Sequence, residues 1–287
     1  MKLSVIAYCF PDYMMEILSD GLIRVLGREN IHFKFNEAFP PDCMRARIYE
    51  RLREPNRFDL FDGDALVIST RSGAPKLSEW LSRAGFKKKV AVIDGEDDTT
   101  IRSDFRSMAT VYFKREVLID SQKVDRVRPL TFGAIPEEVP VVERTRNLAF
   151  LGKPTSPIRE EIWKILSEMN LPSCEPLRNK EKYNEALASS LIGISAKGAG
   201  WDTYRHWENA YFGCAPLCER PKIYVPGNFE DGLEAVFFDG IPDFRQKLSG
   251  LLSDIPKAKS IGKNASEGCR ARHLSIHRAK TVLEAIA

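Results

Sequence analysis

The chain has 287 residues, 43% hydrophobic and 29% charged, a balance that excludes a collagen-like, coiled-coil or wholly disordered polypeptide. Lys and Arg number 43 against 40 Asp and Glu, a net charge of +3 that is too small to argue for nucleic acid by itself. Six scattered cysteines, at 9, 43, 174, 214, 218 and 269, form neither a CxxC pair nor a zinc spacing, which speaks against a disulfide framework and fits a reducing cytoplasm.

The first apolar run, LSVIAYCF (3–10), stops at Pro11-Asp12, so it reads as a strand rather than a signal peptide. Asp12 is placed to cap a helix carrying Met15, Leu18, Leu22, Val25 and Leu26. IHFKF (31–35), ALVIS (65–69), VAVID (90–94), TVYFK (110–114) and RPLTF (128–132) read as further strands, with helical segments around 43–53 and 75–85. Short continuous strands separated by helices predict a parallel sheet covered on both faces. The segment 133–147 has two prolines, three carboxylates and no sustained period, so it reads as a linker. The rhythm then restarts with strands at 147–152, 190–196, 214–218 and 233–238. Helices are expected at 159–169, 203–213 and 243–252, with a long one over 261–286. No stretch nears the 18 uninterrupted apolar residues of a membrane span. The expected fold class is α/β, with two Rossmann-like domains, 1–140 and 141–287, facing a cleft.

The most informative stretch is ISAKGAGWDTYRHWENAYFGCAPLCE (194–219). A strand ends near Ala196, Lys197-Gly198-Ala199-Gly200 turns the chain, and Thr203 stands where a helix begins, followed by Tyr204. Glycines let backbone amides approach a ligand, and a helix amino terminus favours negative charge. Lys197 and Arg205 would add charge-assisted bonds to a diphosphate, and Glu208 can accept two hydrogen bonds from a ribose diol. A tight strand-to-helix turn with ordinary surface charges explains the same spacing equally well.

KGAGWDTYRHWENAYFGCAPL resembles the donor-binding segment of GT-B glycosyltransferases of the glycosyl transferases group 1 branch. The match is a glycine turn, Arg205 and then Glu-x-x-x-x-Gly-x-x-Pro at Glu208, Gly213 and Pro216. Support comes downstream from AVFFDGIPDFRQKL and the closing helices, and upstream from VIDGEDD and YFKRE. The resemblance implies an amino-terminal acceptor domain and a carboxy-terminal domain that holds a nucleotide-sugar donor, UDP- or GDP-linked, with the last helix packing back on the first domain. It implies that Glu208 holds the ribose, that Lys197 and Arg205 neutralise the diphosphate, and that no metal or other cofactor is required. Gly200 stands where many retaining relatives carry the first glutamate of E-x7-E, which leaves inversion or retention open.

Asp94, Glu96, Asp97 and Asp98 of VIDGEDDTT (92–100) lie at a strand's carboxyl end, where open α/β sheets place ligands. One of Asp94, Glu96 and Asp97 is expected to act as general base toward an acceptor hydroxyl, and clustered like charges would raise one pKa. A solvated acidic turn is the alternative. Lys114 and Arg115 are adjacent on a strand, so at most one is expected to face a cleft. Gly152, Lys153 and Ser156 precede a helix and offer a second diphosphate cradle. The basic segments 44–57 and 256–287 could meet an anionic acceptor, although solvated helix faces explain both. His273 and His277 lack a third metal ligand. The expected reaction is sugar transfer from a nucleotide diphosphate sugar to a hydroxyl of a glycan, lipid-linked sugar or modified nucleic acid, by a cytoplasmic protein with room for a peripheral membrane contact. A nucleic-acid glycosyltransferase and a non-catalytic nucleotide-sugar binding protein are the alternatives.

Overall fold

The computed structural model describes residues 1–7, 12–34, 52, 54–72, 79, 81, 86–119, 124–171 and 179–287. They form two compact units: Met1–Ile135 with Ile223–Pro226 and Ser275–Ala287, and Pro136–Lys222 with Gly227–Leu274. The chain is therefore not divided by one cut near residue 140.

The first unit is built on a six-stranded parallel sheet. Its strands are β1 (Leu3–Ile6), β2 (Ile31–Lys34), β3 (Ala65–Ser69), β4 (Lys89–Asp94), β5 (Val111–Lys114) and β6 (Val127–Pro129), in the order β2-β1-β3-β4-β5-β6. Every residue of β1, β3 and β5 is buried, as strands covered on both faces require. The strand order reverses direction beside β1 and β3, the switch point at whose carboxyl edge such sheets bind ligands. Among the described residues, this unit's helices include α1 (Tyr13–Leu26) and α2 (Ser103–Met108). Asp12 caps α1 by accepting from the Met15 amide at 3.1 Å, one of the donors a helix start leaves unmet.

The second unit carries a four-stranded parallel sheet of β7 (Arg146–Ala149), β8 (Ser190–Ser195), β9 (Ala215–Glu219) and β10 (Val236–Phe238), in the order β10-β9-β8-β7. Its helices are α3 (Pro157–Glu168), α4 (Lys180–Ala188), α5 (Tyr204–Tyr211), α6 (Gly240–Ser253) and α7 (Ile255–Arg272). The expected helix 261–286 is in fact two. It breaks at His273, whose buried ring packs on Trp207 at 4.5 Å and bonds the Gly227 carbonyl at 2.7 Å. The second piece, α8 (Ser275–Ile286), belongs to the first unit.

There α8 lies against α1, and the contact turns on Gly21. A Cβ at that position would overlap the Ser275 carbonyl, so only glycine lets the helices meet. The Ser275 hydroxyl donates to Asp20 at 2.6 Å and its amide to the Ala134 carbonyl at 2.8 Å. Arg278 donates to the carbonyls of Thr131 and Phe132 at 3.0 and 2.7 Å. Those two carbonyls leave the sheet ladder, which is why β6 stops short of the expected 128–132. Helices α2 and α4 were not anticipated, and the helical segments expected at 43–53 and 75–85 lie almost wholly outside the described residues.

Candidate functional site

In the second unit, the loops after β7 and β8 converge. The Gly-rich turn follows β8, and its Gly198 amide donates to the Gly200 carbonyl at 3.1 Å. Ser195 and Thr203 share a buried hydroxyl–hydroxyl bond of 2.7 Å that pins both ends of the loop. The Ser156 hydroxyl donates to the Lys197 carbonyl at 2.7 Å, and Arg205 reaches back from α5 to the Leu151 carbonyl at 2.6 Å. The two cradles expected from the sequence, 152–156 and 197–205, thus form one site at the carboxyl ends of two neighbouring strands. Lys153 stands exposed on its rim.

Sequence reasoning missed Arg159, which looked like one polar position of an amphipathic helix. It is buried and donates twice to the Ala196 carbonyl, at 3.1 and 2.8 Å. Burial, and next the charge of Arg205, push its pKa down to about 10. Two guanidiniums held this close concentrate positive potential where α3 and α5 begin. Perturbation of that kind marks functional sites. Lys197 lies 4.7 Å from the ring centre of half-buried Trp201, and its amide donates to Glu219 at 2.8 Å.

One turn into α5, Glu208 is 7% exposed. Tyr183 donates to one of its oxygens at 2.5 Å, and Lys180 stands 3.5 Å from the other. Both partners come from α4. Of the residues expected to bind the donor, Lys197, Gly198, Gly200, Thr203, Tyr204, Arg205 and Glu208 fall on one loop and the first turns of one helix, while Lys153 lies on the loop after β7. Tyr204 packs its ring 4.7 Å from the Arg205 guanidinium. Trp207 is core, its indole nitrogen donating to Asp202 at 2.9 Å.

In the first unit the acidic turn is clasped by cations. Asp94 is 1% exposed. It accepts from Arg102 at 2.9 Å, from Tyr112 and from the Glu96 amide at 3.1 Å, with Lys114 at 3.1 Å. Glu96 accepts from Arg71 at 3.0 and 3.2 Å, and Asp97 from Arg115. Asp98 pairs with Arg102 at 2.9 Å and Lys114 at 3.5 Å. The turn's charges are therefore paired rather than self-repelling, while Asp97 and Asp98 stay about half exposed. Burial pushes the Asp98 carboxyl up, but the Arg102 bond, the Thr100 amide and Lys114 outweigh it and hold its pKa below the usual range. Lys114 and Arg115 point to opposite faces, yet both are buried and both bind this turn, because it wraps across the strand end.

Asp12 is the carboxyl here whose pKa is raised. Burial outweighs its bond from Ser69 at 2.8 Å and the charge of Arg71. Among the described residues, no group of three His, Cys, Asp or Glu side chains could hold a metal ion. No helix there is long and apolar enough to cross a membrane. Of the two basic segments, 44–57 lies mostly outside the described residues, and in 256–287 Arg278 is spent on backbone carbonyls.

This architecture is shared with solved structures of very different sequence. The structure superposes on Anabaena Alr3699/HepE in complex with UDP-glucose with a TM-score of 0.65 at 8% identity, covering 99% of this chain and 98% of that one. A glycosyltransferase from Rickettsia africae ESF-5 gives 0.63 at 10% identity, over 99% and 97% of the two chains. TarM gives 0.52 at 11% identity over 77% of this chain, which spans only 54% of TarM. No curated protein sequence matches at a significant level. The chain is thus a GT-B protein, two Rossmann-like units on parallel sheets. Residues 154–284 match the family described as glycosyl transferase-like.

Proposed function

We propose that the protein transfers a sugar from a nucleoside-diphosphate sugar to a hydroxyl acceptor. The observation that carries this reading is the pairing of the Arg159–Arg205–Lys197 cluster with Glu208 one helical turn away. The spacing matches a diphosphate joined to a ribose. The diphosphate would lie at the start of α5, where the helix dipole favours anions. Charge that develops on the leaving diphosphate would meet groups already in place, the usual main source of rate in such chemistry. The ribose diol would donate to Glu208, which Tyr183 and Lys180 hold in one orientation. Protein cations meet the diphosphate charge in this reading, so no metal is invoked. In the first unit's turn, Glu96 and Asp97 keep some exposure, at 27% and 49% of their side chains, whereas Asp98, equally exposed, is paired with both Arg102 and Lys114. Glu96 and Asp97 are the proposed proton acceptors.

The test starts with a thermal-shift panel of nucleotide sugars, in which a ligand at 100 times its Kd stabilises by about 2.7 kcal/mol. Glu208→Ala should then weaken the best ligand by about tenfold or more, because a hydrogen bond to a charged group is worth about 1.5–3 kcal/mol. Calorimetry showing the same affinity for every nucleotide that binds the wild type would remove the ribose role.

A further inference from the structure

The second unit has a cavity of about 500 Å³ at the other end of α5, formed by residues from the end of that helix, the linker and α7. Eight helical residues separate it from the Gly-rich turn, about 12 Å of helix. Val139, Tyr211 and Phe212 give it an apolar side. Arg144, Lys259, Lys263 and Arg270 bring four cations to it, against the single carboxylate of Glu267. That size suits a small-molecule ligand.

Part of the charge has a structural use. The end of α5 carries about half a negative charge on its last carbonyls. Arg144 donates to the Phe212 carbonyl at 2.6 Å, and Arg270 to the Tyr211 carbonyl at 3.4 Å with its guanidinium 4.2 Å from the Tyr211 ring. Gly213 makes room for this. Its φ is +76°, and a Cβ there would stand 2.7 Å from an Arg144 terminal nitrogen. Two full charges already exceed what the helix end needs. Lys259 and Lys263, four residues apart and so on one face of α7, add two more. Glu267 lies 3.9 Å from Lys263 with both side chains exposed, a pairing too weak to cancel the excess.

We propose that this cavity binds a phosphate-bearing ligand, its oxygens meeting Lys259, Lys263 and Arg270 and its body resting on the apolar side. A polyvalent anion fits four converging cations better than a single carboxylate does. The phosphate could belong to a soluble molecule or to a lipid headgroup, and the experiment separates the two.

Inorganic pyrophosphate is titrated calorimetrically at low salt into the wild type, Lys259→Ala/Lys263→Ala and Glu267→Gln. The same proteins are co-sedimented with phosphatidylcholine vesicles with and without phosphatidylglycerol. The lysines are exposed, so the double variant should fold. It is expected to weaken binding about tenfold, while Glu267→Gln tightens it about two- to threefold, both effects fading with added salt. Pyrophosphate binding that follows this pattern identifies a soluble phosphate ligand. The pattern in anionic vesicles alone identifies a headgroup. The proposal is overturned if the wild type binds neither, or if the three proteins bind alike. Lys197→Ala is titrated as a fourth protein, and the proposal is equally overturned if that variant alone loses pyrophosphate binding, since the ion would then sit at the Gly-rich turn.

Discussion

A carboxylate already wrapped in donors cannot easily take another proton, and this separates the acids of the 94–98 turn. Asp94 is fully enclosed with Lys114, and Arg102 closes over it. Asp94→Asn would leave the buried Lys114 ammonium with only the half-exposed Asp98 at 3.5 Å as counter-charge, and breaking a buried pair costs up to about 3–5 kcal/mol. A large fall in melting temperature is expected for it. Glu96→Gln or Asp97→Asn should leave stability and donor affinity near wild type, and one of them should lower single-turnover rates by about 10²–10⁴. Full turnover in both would leave the proton to the departing phosphate. His206 gives a second residue-scale expectation. Burial lowers its pKa from 6.5 to about 4, against the Asn228 bond. The unfolded chain therefore binds more protons between those values, so its contribution is intact above pH 6.5 and is lost as pH falls toward 4. The loss amounts to about 3 kcal/mol. Urea titrations at several pH values should show that slope flattened in His206→Asn; an unchanged slope would mean that other groups carry it.

At the scale of elements, periodicity was informative wherever burial followed it. ALVIS is β3 to the residue, and Asp12 caps α1 because its side chain meets an amide that no carbonyl can reach. Helix α4 was hidden because KEKYNEALA shows four charges in nine residues. Only Tyr183, Ala186, Leu187 and Ala188 are buried, a stripe too short to stand out. The break at 273–274 was hidden for another reason. The helical pattern runs on across it, and what stops the helix is the fit of the His273 ring among Trp207 and Phe229. Arg159 likewise carried no local signal, since its role arises from a loop 37 residues away. Gly21 allows a direct test of element packing. Gly21→Ala would gain about 0.5–1 kcal/mol of helix propensity but overpack the α1–α8 contact at about 1–3 kcal/mol. A net loss of about 1–2 kcal/mol should appear as a lower urea midpoint. A midpoint at or above wild type would mean that the helices yield easily.

Across the whole molecule, the fold was legible because two α/β rhythms and one dense motif pointed the same way. The fold alone does not fix the chemistry; that rests on the cluster around the Gly-rich turn and on Glu208. The partition of the chain was less legible: the resemblance implied that the last helix packs back on the first unit, but no periodicity or composition marks where, at residue 275, the chain returns to it. That partition has a consequence for how the protein comes into being. Every residue of the second unit has been made by Leu274, whereas the first unit still lacks the helix that sits on Gly21. On the ribosome, where domains otherwise tend to mature in the order of synthesis, the amino-terminal unit must therefore wait. Its α1 surface stays open to chaperones or to mispairing until the carboxy-terminal helix emerges, and the half begun first is completed last.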